Sequence, residues 1–184
     1  MLLNKKILDI PGWMKPNELE WLLHTAEHLP INGTIVELGT FCGRSTMALC
    51  QGAELVCGTV ITVDPFDDAA MRELPEWKTD VPCMYDRFVQ TVSELRLYPQ
   101  VMRMTSLEAA KLIPDNSVDM VFIDGLHTAT GEDIDAWRPK MKPGGVMAGH
   151  DYGAKEWSVR GQVNARFAST DVTVAGHSIW WTKI

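Results

Sequence analysis

The segment that most constrains the fold of this chain is Gly33-Thr-Ile-Val-Glu-Leu-Gly-Thr-Phe-Cys-Gly-Arg-Ser-Thr46. An apolar run with a single acid, Glu37, leads into a glycine turn, and a helix-compatible stretch follows. This order predicts a strand, a turn and a helix start, where free backbone N–H groups favour ligand binding. About 20 residues downstream, a second apolar run ends at Asp64, where an acid is placed to hold ribose hydroxyls.

The glycine spacing separates three kinds of ligand site. A P-loop requires four residues between its glycines and then a lysine, but here three residues separate Gly39 from Gly43 and Arg44 follows. The dinucleotide fingerprint is also absent, because Phe41 and Thr46 stand where glycines are required. The pattern Glu-x-Gly-x-x-x-Gly resembles motif I of the class I S-adenosylmethionine (SAM)-dependent methyltransferases. The alternative is an ordinary strand-to-helix turn with glycines for packing.

Charge and composition argue against several classes of protein. The net charge is −7 and the Lys and Arg residues are scattered, so we expect no nucleic-acid partner. No apolar run approaches the roughly 18 residues of a membrane span, and the N-terminus does not resemble a secretory signal. The cysteines at 42, 50, 57 and 83 show no metal or C-x-x-C spacing, which predicts buried, reduced thiols in a cytoplasmic protein.

Strand and helix patterns alternate along the chain. Strands are predicted at 34–38, 59–64, 101–104, 118–124, 146–150, 171–175 and 178–182, and Lys142-Pro-Gly-Gly145 as a turn. Helices are predicted at 17–29 (capped by Asn17, with Glu20 reaching back), 43–51, 106–113, 131–141 and 158–168, and around Phe88, Val92 and Leu95. This order predicts an α/β, doubly wound Rossmann-like sheet of seven strands, mostly parallel, with a C-terminal antiparallel hairpin. We expect a single domain over 1–184, with 1–32 as a helical extension.

Four motifs in the second half of the chain narrow the family. They are Phe122-Ile-Asp-Gly-Leu-His127, Asp133-Ile-Asp-Ala-Trp137, Pro143-Gly-Gly145 and Gly149-His-Asp-Tyr152. In this order they resemble a small class I methyltransferase branch related to macrocin-type sugar O-methyltransferases and cephalosporin-hydroxylase-like proteins. The resemblance is weakest over residues 65–100. It implies SAM as cofactor and a hydroxyl of a small molecule as methyl acceptor.

The resemblance also implies which residues bind the cofactor. The amino-acid moiety of SAM is expected near Glu37, Gly39 and Ser45, the ribose on Asp64, and the adenine near Ser106 and Leu107. The full expected set is Glu37, Gly39, Thr40, Gly43, Ser45, Asp64, Ser106, Leu107 and Asp124.

A second group of residues is expected at the carboxyl ends of strands 4 and 5. Those ends adjoin in a doubly wound sheet, so Asp124 and Asp151 can face one Mg²⁺ or Mn²⁺ ion. Related sugar and catechol O-methyltransferases hold a metal at the matching positions, which implies Asp124, His150 and Asp151 as ligands. Position 150 departs from those relatives, which carry a carboxylate there. Because imidazole suits Mn²⁺, Fe²⁺ or Zn²⁺ better than Mg²⁺, the metal can differ or be absent.

The same resemblance makes His127 the general base that removes the acceptor's proton. A purely structural role remains the alternative for His127, His150 and Asp151. Two other functions also stay open: metal-free transfer to nitrogen or oxygen with His127 or His150 as base, and a SAM- or nucleotide-binding module without catalysis. The acceptor's walls are expected in 66–86, where Trp77 is a candidate, in 151–157, or in the partner subunit of a homodimer.

Overall fold

The computed structural model describes residues 1–68, 83–154 and 158–184. Within them the strands are β1 (Thr34–Leu38), β2 (Thr59–Val63), β3 (Gln100–Met102), β4 (Val118–Ile123), β5 (Met141–Gly149), β6 (Thr173–Ala175) and β7 (Ile179–Lys183). The helices are α1 (Pro16–Glu27), α2 (Arg44–Ala53), α3 (Met84–Leu95), α4 (Ser106–Leu112), α5 (Thr130–Trp137) and α6 (Val159–Asn164). None of these helices is long and apolar enough to cross a membrane.

The seven strands form one sheet in the order β3-β2-β1-β4-β5-β7-β6. The first five strands pair in parallel, and β7 runs antiparallel to both β5 and β6. This confirms the predicted Rossmann-like sheet with its C-terminal hairpin. The chain leaves β1 in one direction through β2 and returns to its other side at β4. The carboxyl ends of β1 and β4 therefore flank the crevice in which open α/β sheets bind ligands.

Side chains of β1 alternate between two apolar layers. Ile35 packs in the layer that includes Leu22 of α1 and Met47 of α2, whereas Val36 packs in the layer with Trp137 of α5. Since successive residues of a strand point to opposite faces, Glu37 falls on the same face as Ile35. The one acid of β1 is therefore buried beneath α2.

The predicted turn at residues 142–145 was wrong, because these residues belong to β5. Val118 pairs with Met141, but Met120 pairs with Val146, so β5 carries extra residues in a bulge. Gly144 takes a φ of 81° there, and its N–H donates to Ile184 at 2.5 Å. The glycines of this segment serve a bulge and not a chain reversal.

Several helix boundaries also differ from the prediction; α6, for example, ends at Asn164 and not at residue 168. The helix α5 ends at Trp137 and gives way to a 3-10 turn at Arg138–Lys140, because Pro139 lacks the N–H that a longer helix requires. The helix α1 begins at Pro16, one residue before the predicted cap Asn17. The acid that reaches back is Glu18, which accepts from the Lys15 N–H at 2.9 Å, and not Glu20.

The cysteines only partly match the prediction of buried thiols. Cys42 and Cys50 are buried, Cys83 is partly buried, and Cys57 is exposed. Burial raises the pKa of the Cys50 thiol, so this sulfur remains protonated at neutral pH.

The backbones of β1 and β4 approach closely where both strands end. Gly39 has a φ of 90°, and a Cβ built on it would lie 2.2 Å from the carbonyl oxygen of Asp124. A hydrogen bond joins the two strand ends at this point, because the Asp124 N–H donates to the carbonyl of Leu38 at 2.8 Å. Only glycine fits at position 39 without separating the two strands.

Replacing Gly39 with alanine is expected to lower the free energy of unfolding by about 2–4 kcal/mol, from left-handed backbone strain and overpacking. The matched control is Gly161→Ala in α6, where an added Cβ meets nothing within 4 Å. It should be neutral or stabilising by up to about 1 kcal/mol. Urea unfolding of both variants measures the difference, and equal stabilities would contradict the close approach of β1 and β4.

Candidate active site

The glycine turn after β1 is held in place by Asp64. Oδ2 of Asp64 accepts the N–H groups of Thr40 at 2.8 Å and Phe41 at 3.1 Å. Oδ1 accepts the N–H of Phe66 at 2.6 Å. Phe41 has a φ of 50°, an uncommon conformation that these bonds help to hold. The predicted ribose acid thus lies at the mouth of the turn, directly after β2.

The carboxylate of Glu37 accepts hydrogen bonds from hydroxyl groups in the first turn of α2. One of its oxygens accepts from the hydroxyl of Ser45 at 2.6 Å, and the other accepts from Thr46 at 2.5 Å and Thr62 at 2.7 Å. Burial raises the pKa of Glu37 to about 7, although the three hydroxyl donors oppose the shift. Both Glu37 and the Ser45 hydroxyl are thereby directed into the protein. They orient the first turn of α2, whose N–H groups have no partner within the helix.

Sequence reasoning missed the role of Arg44. Its guanidinium donates to the carbonyls of Leu8 at 2.5 Å, Gly12 at 2.7 Å and Met14 at 3.0 Å. These bonds tie the segment before α1 to the start of α2. As a result, the ring of Trp13 lies 4.9 Å from that of Phe41, in contact with the glycine turn. The sequence around Arg44 contains no pattern that predicts hydrogen bonds to carbonyl groups of the N-terminal segment.

The predicted adenine residues lie at the carboxyl end of β3. Ser106 begins α4, and its hydroxyl accepts the indole N–H of Trp137 at 2.8 Å. Leu107 is 41% exposed and so presents apolar surface next to Ser106. A surface depression of about 450 Å³ lies along the outer side of α4, lined by Arg103, Met104, Glu108, Lys111 and Leu112. None of the expected site residues lines it.

Three polar side chains converge beyond the ends of β4 and β5. Nε2 of His127 lies 2.9 Å from Oδ2 of Asp151, and Asp124 completes the group. One donor atom from each of the three lies within 4.8 Å of the others. Among the described residues, this is the set that can share a cation, at about 2.0–2.6 Å from each ligand. It contains His127 where the sequence predicted His150.

His150, which the sequence predicted as a metal ligand, instead contacts three acids through its ring nitrogens. Nδ1 lies 3.2 Å from Asp151 and 3.6 Å from Asp124, and Nε2 lies 3.2 Å from Glu18 and 3.0 Å from the Ser178 hydroxyl. Burial by itself would lower the pKa of His150, but the three carboxylates outweigh it and raise this pKa well above its ordinary value. The imidazole is therefore a cation within the site.

The pKa values of the three acids around His150 shift in different directions. Burial raises the pKa of Asp124 to about 6, against the attraction of His150. Burial would also raise the pKa of Asp151, but hydrogen bonds with His127 and His150 hold it well below its ordinary value. For Glu18, the bonds from His150, Lys15 and Ser178 overcome burial and lower its pKa to about 2. Perturbed acids in one crevice are typical of functional sites.

Both expected walls of the acceptor pocket within this chain, 66–86 and 151–157, lie partly outside the described residues. The parts outside are residues 69–82, which include Trp77, and residues 155–157. The structure therefore bears on residues 66–68 and 83–86 of the first wall and on 151–154 of the second.

A family profile described as a methyltransferase domain matches residues 36–152, which include the glycine turn, Asp64, Asp124, His127 and Asp151. The chain belongs to the class I SAM-dependent methyltransferases. The profile covers the carboxyl edges of β1, β2, β4 and β5, on which the site is built. Motif I and the motifs after β4 and β5 thus predicted the family correctly.

Solved structures share the fold of this methyltransferase at low sequence identity. An O-methyltransferase from Bacillus cereus, in complex with S-adenosylhomocysteine, is 18% identical with a TM-score of 0.66. The alignment covers 98% of this chain and 90% of the Bacillus cereus chain. The Podospora anserina methyltransferase PaMTH1, also S-adenosylhomocysteine-bound, is 11% identical with a TM-score of 0.69, covering 93% and 79%. At these identities the likeness concerns the fold.

One curated relative is more similar in sequence. The uncharacterized protein y4gI of Sinorhizobium fredii is 28% identical over 144 residues, which are 74% of this methyltransferase. The chain spans only 14% of the length of that relative.

The raised pKa of the buried Glu37 predicts how the stability of the protein depends on pH. A raised pKa means that the folded state binds the proton more tightly, so ionisation of Glu37 lowers the free energy of unfolding as the pH rises from about 4.5 to about 7. The Glu37→Gln variant cannot ionise. The stability of the wild type relative to this variant should fall by on the order of 2–3 kcal/mol between pH 5 and pH 8, measured by urea unfolding. A difference that does not vary with pH would contradict the buried carboxylate.

Proposed function

We propose that this protein is an O-methyltransferase that moves the methyl group of SAM to a hydroxyl of a small molecule. The observation that carries the proposal is the 2.9 Å contact of His127 with Asp151, beside Asp124, at the carboxyl ends of β4 and β5. An imidazole oriented by a carboxylate is the arrangement of a general base. Asp124 of this group adjoins Gly39 of the glycine turn, which supports catalysis over binding alone.

The turn and its neighbours supply the cofactor contacts in this proposal. The first-turn N–H groups of α2 and the carbonyl of Gly39, next to Thr40, meet the amino-acid moiety, since the N–H groups of Gly39 and Thr40 already donate to Val63 and Asp64. Asp64 receives the ribose, since Oδ1 accepts one N–H and an anionic oxygen accepts further donors. Ser106 and Leu107 lie beside the adenine. Glu37 and the Ser45 side chain act indirectly, because their mutual bond points them away from the crevice.

The chain's own part in the chemistry is to remove a proton. Bound SAM supplies a methyl group on a sulfonium sulfur, and its transfer to an oxygen leaves the C–S electron pair on that sulfur. A neutral hydroxyl attacks poorly. Donation from Nε2–H of His127 to Asp151 selects the tautomer in which Nδ1 carries the lone pair, so Nδ1 is the atom that accepts the hydroxyl proton. Asp151 then stabilises the imidazolium that forms.

The donor set of the site fits a divalent metal. Two carboxylates, Asp124 and Asp151, and one imidazole, His127, suit Mn²⁺ or Fe²⁺ better than Mg²⁺. A metal held there would acidify the acceptor hydroxyl. On this route Asp124, Asp151 and His127 would hold the ion, and His127 would act as a ligand instead of the base.

Metal-free transfer is the second candidate, and the position of His150 favours it. Its imidazole, charged and in contact with both Asp124 and Asp151, provides positive charge where related enzymes place a metal ligand. One positive charge thereby offsets part of the negative charge of the two acids without an ion. Transfer to nitrogen or oxygen with His127 as base follows from the same geometry.

Cofactor binding is tested by replacing Asp64 with alanine. Loss of the charge-assisted ribose contact should weaken SAM binding by about 1.5–3 kcal/mol, a rise in Kd of roughly 10- to 150-fold in titration calorimetry. Asp64→Asn is the control, because it keeps an oxygen for the N–H groups of the turn and should weaken binding less. Binding of NAD or ATP, but not of SAM, by the wild type would overturn the assignment.

The role of His127 is tested by His127→Gln. Turnover should fall by about 10²- to 10⁴-fold because the proton acceptor is lost, while the Kd for SAM stays nearly unchanged. The assay detects S-adenosylhomocysteine release with catechols, flavonoids and sugars as acceptors. His177→Gln is the matched control, since His177 lies in the exposed β6–β7 turn.

A chelator separates the two candidate mechanisms in the same assay. Activity lost in chelator and restored by Mn²⁺ supports the metal-assisted route, and full activity in chelator supports the metal-free route. More than half of the wild-type rate in His127→Gln would make His127 structural under either route.

A further inference from the structure

Glu18 is an acid of α1 that neither the cofactor turn nor the proton transfer accounts for. Its side chain is only 1% exposed, unlike Glu20 on the same helix, which is exposed. Oε2 of Glu18 accepts the N–H of Lys15 at 2.9 Å, as a helix-capping acid does. Capping uses one oxygen and does not require burial. The second oxygen therefore needs another explanation.

That second oxygen reaches the end of the sheet. Oε1 of Glu18 accepts from the N–H of Ser178 at 2.9 Å and from its hydroxyl at 3.1 Å, and lies 3.2 Å from Nε2 of His150. The β6–β7 turn crosses directly over this carboxylate, because a Cβ on Gly176 would lie 2.8 Å from Cγ of Glu18. Glu18 thus joins α1, the C-terminal hairpin and the residue that follows β5.

His150 connects this contact to the proposed base. Its Nε2 faces Glu18 and Ser178, and its Nδ1 lies 3.2 Å from Oδ2 of Asp151. The same oxygen of Asp151 lies 2.9 Å from Nε2 of His127. Four side chains therefore contact one another in series, from Glu18 on α1 through His150 and Asp151 to His127 at the crevice.

We propose that Glu18 is a positioning residue of the methyl-transfer reaction, which fixes the ring of His150 so that His150 holds Asp151 against His127. The proposal rests on the function proposed above. An imidazole turns about a single bond, so a partner fixed at Nε2 also determines where Nδ1 points. Without Glu18, the ring of His150 and the carboxylate of Asp151 gain freedom, and His127 loses its fixed orientation.

Two variants on the same helix provide the test. Glu18→Gln keeps the size of the side chain but cannot bind both Lys15 and His150 through anionic oxygens. Glu20→Gln removes a charge from the exposed side of α1. Nitrogen NMR of the histidine side chains, assigned with His127→Gln and His150→Gln, reports the tautomer and hydrogen bonding of each ring. Glu18→Gln should shift the ring signals of both His127 and His150, and Glu20→Gln neither.

Turnover and cofactor binding give a second measurement. Glu18→Gln should lower the turnover rate by about 10- to 100-fold at saturating SAM while leaving the Kd for SAM within about twofold. If Glu18→Gln does not fold, Ser178→Ala replaces it. That variant removes a hydroxyl partner of His150 and should shift the same two histidines to a smaller extent.

The outcomes separate this proposal from the function on which it rests. Shifted signals of His150 with unchanged signals of His127 would overturn the positioning role, and Glu18 would only anchor α1 to the sheet. Turnover equal to that of Glu20→Gln would overturn it as well. Failure of the wild type to bind SAM would overturn the proposed function, whereas the NMR comparison would still show whether Glu18 orients His127.

Discussion

The buried bond between Glu37 and the hydroxyls of Ser45, Thr46 and Thr62 is the interaction on which the rest of the site depends. It joins β1, α2 and β2 at a point where each element ends or begins. A carboxylate in this apolar layer is costly unless hydroxyls satisfy it, so the elements cannot shift independently. The glycine turn above it therefore has one position, and Asp64 holds that turn from the other side.

A second group of charges occupies the other half of the crevice. Asp124 and Asp151 lie close together, and two acids so placed repel each other unless positive charge stands nearby. His150 supplies one positive charge, which Asp124, Asp151 and Glu18 share, so the group keeps a net negative charge. The result is a connected set of charged groups that links the N-terminal helix to the last strands. This arrangement is consistent with a histidine at position 150, where the resemblance to sugar and catechol O-methyltransferases implies a carboxylate.

Some of the site was predictable from local sequence. Glycines at 39 and 43 fit the turn because a side chain at Gly39 would meet the backbone of Asp124, and one at Gly43 would meet Phe88. The proximity of Asp124 and Asp151 followed from parallel strands that end at one edge. The exchange of His150 for His127 in the candidate metal set did not follow, because the orientation of a ring depends on partners distant in sequence. Glu18 lies 160 residues from Ser178, its partner in the hairpin.

The sequence by itself determined the fold, the family and the sheet edge that carries the candidate site, because the alternation of apolar residues and the glycine spacing act over short distances. Only the tertiary structure decided what each polar side chain does there. Glu37 and Ser45 turned inward, Arg44 bound the N-terminal segment, and Glu18 reached His150 across the end of the sheet. The reason is physical: hydrogen bonds and charges are satisfied by whichever groups packing brings within about 3 Å, and those groups come from separate parts of the chain.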